Sequence, residues 1–164
     1  MMSSLYIKGT NFVFLKERAF GGIFVDYQNS RVRKVSLKNQ NTRTQQWGAF
    51  VGELEAYYIA SADNRLHEWV PEFYGSRVSE VICNNTDLPL ENKYHTWSIE
   101  MEMIKDAYGE IACFEEFVKG VRPKEIENLF CQAGIRTNDA SMSRNAISPK
   151  VIDISTAPFP YIQA

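Results

Sequence analysis

Cysteine is scarce in this chain. Its 164 residues include three, Cys83, Cys113 and Cys131. They are too far apart for a CxxC pair, and neither histidine, His67 or His95, stands at a ligand spacing from them, which argues against a zinc site. An odd and scattered set of thiols defines no disulfide framework and suits a reducing compartment. No apolar run is long enough to cross a bilayer, and no stretch has the basic head and apolar core of a signal peptide. The expectation is a cytoplasmic protein without a membrane partner. An excess of one charge is also missing: 18 Lys and Arg against 20 Asp and Glu leave −2, so no broad attraction to nucleic acid is expected. Internal repeats, low-complexity stretches and linkers are absent too, and the length suits one domain, 1–164, able to bury a core.

What is present reads as strands first and helices later. Residues 5–15 alternate as strand, broken by a turn at Gly9-Thr10-Asn11. Residues 22–28 and 32–38 are rich in β-formers and separated by Gln28-Asn29-Ser30, which predicts a hairpin. The basic residues Arg31, Arg33, Lys34 and Lys38 read as a solvated strand edge. Trp47, Phe50, Val51, Leu54 and Tyr58 recur at helical spacing over 46–61. A short turn covers 64–69, two short strands flank Gly75-Ser76, and 94–104 reads as strand. Residues 109–118 and 123–133 read as helices, the second with Pro123 in its first turn and Gly134 as its C-terminal cap. The fold class expected is α+β, an antiparallel sheet followed by helices.

The last thirty residues carry acids and an amide on polar loops: Asp139, Asn145 and, after the apolar Val151-Ile152, Asp153. Such a set can hold Mg²⁺ and position a hydroxyl for phosphoryl transfer. Upstream, Leu15 to Ile23 with Gly21-Gly22 resembles a glycine-rich loop, and Lys38 follows Gly21 by seventeen residues. Glu55-Ala56-Tyr57-Tyr58 and Ile99-Glu100-Met101-Glu102-Met103-Ile104 resemble the helix and hinge strand of the same family.

Together these motifs resemble a protein kinase reduced to a minimal core, as in small bacterial effector or phage kinases. The resemblance implies an N-lobe of an antiparallel sheet and one helix over about 1–104, and a reduced helical C-lobe over about 105–164. It implies ATP and Mg²⁺ as cofactors. Lys38, or else Lys34, would hold the phosphates and pair with Glu55 or Glu53. Gly21, Gly22, Ile23, Glu102 and Met103 would line the nucleotide. Asp139 would serve as the catalytic acid-base residue, with Asn145 and Asp153 on the metal. The activity implied is ATP-dependent transfer of phosphate to a Ser, Thr or Tyr hydroxyl of a protein, in its own cytoplasm or delivered into another cell. The alternative is a pseudokinase, a binding or inhibitory module. A small-molecule phosphotransferase like the aminoglycoside kinases fits less well, because the chain lacks the length for their acceptor-binding helices.

The pattern departs from the family in places. Lys16 and Arg18 replace two loop glycines, Thr137-Asn138 precede Asp139, five residues separate Asp139 from Asn145, and Asp153-Ile154-Ser155 stands for the usual Asp-Phe-Gly.

Overall fold

A computed structural model of the chain describes residues 5–18, 21–36, 43–84, 93–116, 124–138, 140–144 and 146–157. The chain gathers into two compact units, one of Met1–Phe50, Tyr74–Glu102 and residues 163–164, the other of Val51–Phe73 and Met103–Ile162.

In the first unit, period-two alternation produces strands β1 (Leu5–Ile7), β2 (Val13–Arg18), β3 (Gly21–Asp26), β4 (Arg31–Val35), β5 (Phe73–Cys83) and β6 (Lys93–Glu102). They close into a barrel in the order β1-β2-β3-β4-β6-β5. The ring shuts where β5 pairs with β1, Leu5 opposite Cys83 and Ile7 opposite Val81. The pairings β1–β2, β2–β3, β3–β4, β4–β6 and β5–β1 are antiparallel. Six strands alternating in direction close without a parallel seam, so β5–β6 is antiparallel as well. Closure removes the exposed edges that an open sheet would present.

Inward-facing Leu5, Ile7, Phe12, Phe24, Val35, Val81 and Cys83 form the barrel's apolar core, with Phe14 packed against it. Phe14 meets Phe24 edge to face, ring centroids 5.6 Å apart. Each fully buried side chain of this size stabilises the fold by roughly 1.5–3 kcal/mol.

Two turns share one end of the barrel, because β1 and β3 run in the same direction. The β1–β2 turn uses Gly9 at φ +74°, and Thr10 Oγ1 donates to the Ile7 carbonyl at 2.8 Å while accepting the Phe12 N–H at 3.1 Å. In the β3–β4 turn the Asp26 carboxylate accepts the backbone N–H of Asn29 at 3.0 Å and its Nδ2 at 2.8 Å. Asn11 Nδ2 donates to Gln28 Oε1 at 3.0 Å and links the two turns.

The second unit contains the part of helix α1 (Arg43–Ala62) from Val51 onward, a 3-10 turn at His67–Trp69, and the sheet β7-β8-β9 (Phe114–Glu116, Ser141–Ser143, Val151–Ile152). Helix α2 (Lys124–Gln132) lies between β7 and β8 in the chain. It ends as its sequence predicts: Gly134 takes φ +79°, Ile135 N–H reaches the Phe130 carbonyl at 2.9 Å, and Gly134 N–H reaches that of Cys131 at 3.0 Å. Tyr57 is fully buried, stacks on Phe73, and accepts the Asp153 N–H on its hydroxyl at 3.3 Å.

These observations correct the expected fold. The first sheet is a closed barrel, not the open sheet of a kinase-like N-lobe, and a three-stranded sheet occupies much of what was expected to be a helical C-lobe. The resemblance to a minimal protein kinase is overturned with it. Alternation shows that strands exist but not that the fifth will return to the first. Of residues 109–118, expected as a helix, the described residues 109–116 give one side of a hairpin and β7. Gly109 takes φ +78°, and Asp106 Oδ1 accepts the N–H groups of Tyr108 at 2.8 Å and Glu110 at 3.0 Å, which turns the chain. The two strands expected around Gly75 are one strand, β5, which absorbs Gly75 at φ +91°.

Gly21 stands where strands crowd. A Cβ added there would lie 2.5 Å from the Val35 carbonyl oxygen. Gly21→Ala is expected to destabilise the chain by about 1–3 kcal/mol, read as a lower denaturant midpoint. An unchanged midpoint would contradict the close approach.

Candidate functional site

Strand β4 reads Arg31-Val32-Arg33-Lys34-Val35, and its alternation puts Arg31 and Arg33 on the face of the core residue Val35. Register confirms this. Arg33 lies directly opposite the core residue Phe24 on β3 and opposite Glu100 on β6, and opposed residues of an antiparallel pair share a face. The barrel interior is therefore apolar through one part and charged toward the end that carries the two linked turns.

Glu100 is the centre of the charged part. Its side chain is 7% exposed and that of Arg33 is 8%. Arg33 Nε donates to Glu100 Oε1 at 2.8 Å, and Arg31 Nη1 donates to Oε2 at 2.9 Å. Both oxygens thus hold a charge-assisted hydrogen bond. Arg33 also lies over the Phe12 ring, 4.4 Å from its centroid, and Arg31 over Tyr74, at 3.4 Å. A third guanidinium approaches: Arg77 Nε is 3.7 Å from Oε1, with its side chain half exposed.

A buried hydroxyl relay leads from this cluster to the backbone of Arg77. Arg33 Nη1 donates to Ser79 Oγ at 3.0 Å, Ser79 Oγ lies 2.8 Å from Ser98 Oγ, and Ser98 Oγ donates to the Arg77 carbonyl at 2.8 Å. Each hydroxyl has one proton. With that of Ser98 given to the carbonyl, the bond between the serines must run from Ser79 to Ser98. The relay fixes the main chain at Arg77, while the guanidinium of Arg77 has no hydrogen bond among the described residues beyond its approach to Glu100.

Charge is divided unevenly between the two units. The barrel unit carries ten Lys and Arg against seven Asp and Glu, and the second unit eight against thirteen, so the overall −2 divides into +3 and −5.

The residues singled out from the sequence fall elsewhere. Lys38, Asp139 and Asn145 lie outside the described residues. Gly21, Gly22 and Ile23 lie in β3, and pairing sets Gly22 opposite Val35 and Ile23 opposite Lys34. Glu102 ends β6 opposite Arg31, and Met103 follows it, buried. In the second unit Glu55 is exposed on α1 and accepts a hydrogen bond from Thr156 Oγ1 at 2.9 Å, and Glu53 is half-buried on the same helix. Asp153, just after β9, has φ +62°. Among the described residues no group of three or more His, Cys, Asp or Glu is placed to hold a metal ion, and no helix is long and apolar enough to cross a membrane.

Sequence reasoning missed Arg33 and Glu100, and the reading of the basic residues as a solvated strand edge fails at Arg33. A signal was present: Arg31 and Arg33 share their parity with Val35, which the same strand commits to the core.

Comparison with known proteins supplies no relative: no protein-family model matches the chain, no curated protein matches it, and no solved structure matches it.

Removing Glu100 leaves Arg33 buried without its anion. Glu100→Ala is expected to cost about 3–5 kcal/mol of stability, and Arg77→Ala no more than about 0.5 kcal/mol. Chemical denaturation of the two variants checks this, and similar losses in both would contradict the division between buried and exposed arginines.

Proposed function

We propose that the chain is a binding protein whose barrel takes an anionic ligand at the end where Arg31 and Arg77 reach solvent. The observation that carries this reading is Arg77. Its guanidinium is half exposed, it is anchored through its backbone, and it sits beside a carboxylate whose two oxygens already hold Arg33 and Arg31. Arg presents five N–H donors in a planar fork suited to carboxylates and phosphates, and here most of those donors remain for a ligand. The net positive charge of the barrel unit would favour approach of an anion.

The phosphotransferase reading, with ATP and Mg²⁺, and its pseudokinase alternative were both drawn from a resemblance that the barrel overturns. No cluster of described residues argues for phosphate transfer. Its own test is transfer of labelled phosphate from Mg-ATP to a protein acceptor. Binding without catalysis is the part of that alternative for which the barrel offers a surface.

Isothermal titration of the full chain with a panel of small phosphates, sulfate and carboxylates tests the proposal. At least one anion is expected to bind, and Arg77→Ala to weaken it about tenfold or more, the loss of one charge-assisted contact. Absence of binding across the panel, or binding indifferent to Arg77, would overturn it.

A further inference from the structure

We infer that Tyr74 is a positioning residue of this site, turned into the mouth of the barrel by a β-bulge at Gly75 so that its ring fixes the plane of Arg31; this rests on the anion-binding reading above.

The bulge is read from the parity of β5. From Arg77 onward the strand alternates regularly. Ser79, Val81 and Cys83 are buried, Val81 and Cys83 belong to the barrel core, and Arg77 approaches the inward-facing Glu100. Carried back without a break, that alternation sends Phe73 inward and Tyr74 outward. The contacts are the reverse. Arg31 shares the inner face with Arg33 and Val35, and its Cζ lies 3.4 Å from the centroid of the Tyr74 ring. Phe73 packs instead on α1, stacked on Tyr57 at 5.6 Å and edge-on to Tyr58 at 5.0 Å. One extra residue between Tyr74 and Arg77 accounts for both reversals. Gly75 stands there at φ +91°, and among the described residues it is the one strand member with a positive φ. Glycine adopts that conformation freely, and a bulge re-aims the side chains beside it.

What the re-aimed ring does follows from how Arg31 is held. Among the described residues Arg31 makes one hydrogen bond, from Nη1 to Glu100 Oε2 at 2.9 Å. A single bond fixes one point and lets a planar group pivot about it. A ring against the face fixes the plane. Stacking uses the face of a guanidinium and none of its N–H groups, which lie in the plane. Tyr74 therefore orients Arg31 without taking donors that an anion would need. A second carboxylate in its place would orient Arg31 and consume those donors. Arg31 and Arg77 both approach Glu100, so a fixed Arg31 keeps its remaining donors near Arg77.

The experiment titrates sulfate and inorganic phosphate into the full chain and into Tyr74→Phe, Tyr74→Leu, Gly75→Ala and Arg77→Ala, whose folding is checked by thermal unfolding. The arginine Nε–H resonances of the ¹⁵N-labelled chains are recorded without anion. Tyr74→Phe, which keeps the ring, is expected to bind within about twofold of the unaltered chain, and Tyr74→Leu, which keeps bulk but no π face, about threefold or more weakly. Gly75→Ala, strained at this φ, should follow Tyr74→Leu. The Arg31 resonance should keep its position in Tyr74→Phe and lose the ring-current shift of Tyr74 in Tyr74→Leu and Gly75→Ala.

Tyr74→Leu binding as tightly as the unaltered chain, where Arg77→Ala weakens binding, would overturn the role of Tyr74 and leave the anion site standing. So would an Arg31 resonance that ignores Tyr74→Leu, or a Tyr74→Phe loss as large as that of Tyr74→Leu. A folded Gly75→Ala chain with resonance and affinity unchanged would overturn the bulge. Should Gly75→Ala not fold, nuclear Overhauser contacts between the Tyr74 ring and Arg31 in the unaltered chain are the check, and their absence would overturn it. Neither anion binding the unaltered chain, or binding indifferent to Arg77→Ala, would overturn the site itself.

Discussion

One carboxylate organises the charged end of this barrel. Glu100 lies inside a ring of six strands, where an ionised carboxylate without partners would be strongly disfavoured. It is stabilised there because β4 places Arg31 and Arg33 on the inner face and register sets Arg33 directly opposite it. Pairs of this kind contribute little net stability compared with a well-packed apolar substitute, yet breaking one is costly. Their effect is to restrict the alternatives. A slip of β6 by one residue against β4 would set Ile99 or Met101 opposite Arg33 and turn Glu100 to the outer face, leaving the inward guanidinium without its carboxylate. The charged layer and the apolar core of Leu5, Ile7, Phe24 and Val81 therefore select the same register.

The hydroxyl relay extends that constraint to β5. Because its hydrogen bonds run in one direction, from Arg33 through Ser79 and Ser98 to the Arg77 carbonyl, the buried pair and the exposed arginine are parts of one network. Such networks rigidify when every member is satisfied. The relay fixes the backbone from which the Arg77 side chain extends, which removes part, though not all, of the freedom that side chain would lose on meeting an anion. Arg31 is held at the guanidinium itself, by Tyr74 over its face and by its hydrogen bond to Glu100.

Local structure was legible in the sequence where a local signal decides it. The turn at Gly9, the hairpin after Gln28, the helix through Trp47 and Tyr58, and the cap at Gly134 all follow from spacing and turn chemistry over a few residues. Barrel closure was not legible, because it depends on pairing Leu5 with Cys83, and nothing in either segment names the other. The charged interior was hidden for a related reason. Arg33 on a β-rich strand looks like a solvated edge until Glu100, sixty-seven residues away, is known to face it. The kinase-like motif order was a set of weak spacings whose meaning depended on a fold that these strands do not form. Lys38, Asp139 and Asn145 lie outside the described residues; of the proposed site, Arg31 carried only its shared parity with Val35, Glu100 stood in a segment read for a different role, and Arg77 had no motif to announce it.

The most direct measurement of the account follows the arginine Nε–H resonances of ¹⁵N-labelled protein as sulfate is added. The Arg77 and Arg31 signals are expected to shift along one saturable curve while that of buried Arg33 stays fixed. Signals that all remain still, or an Arg33 resonance that moves while Arg77 does not, would contradict the claim that a buried carboxylate pair holds an exposed arginine ready for an anion.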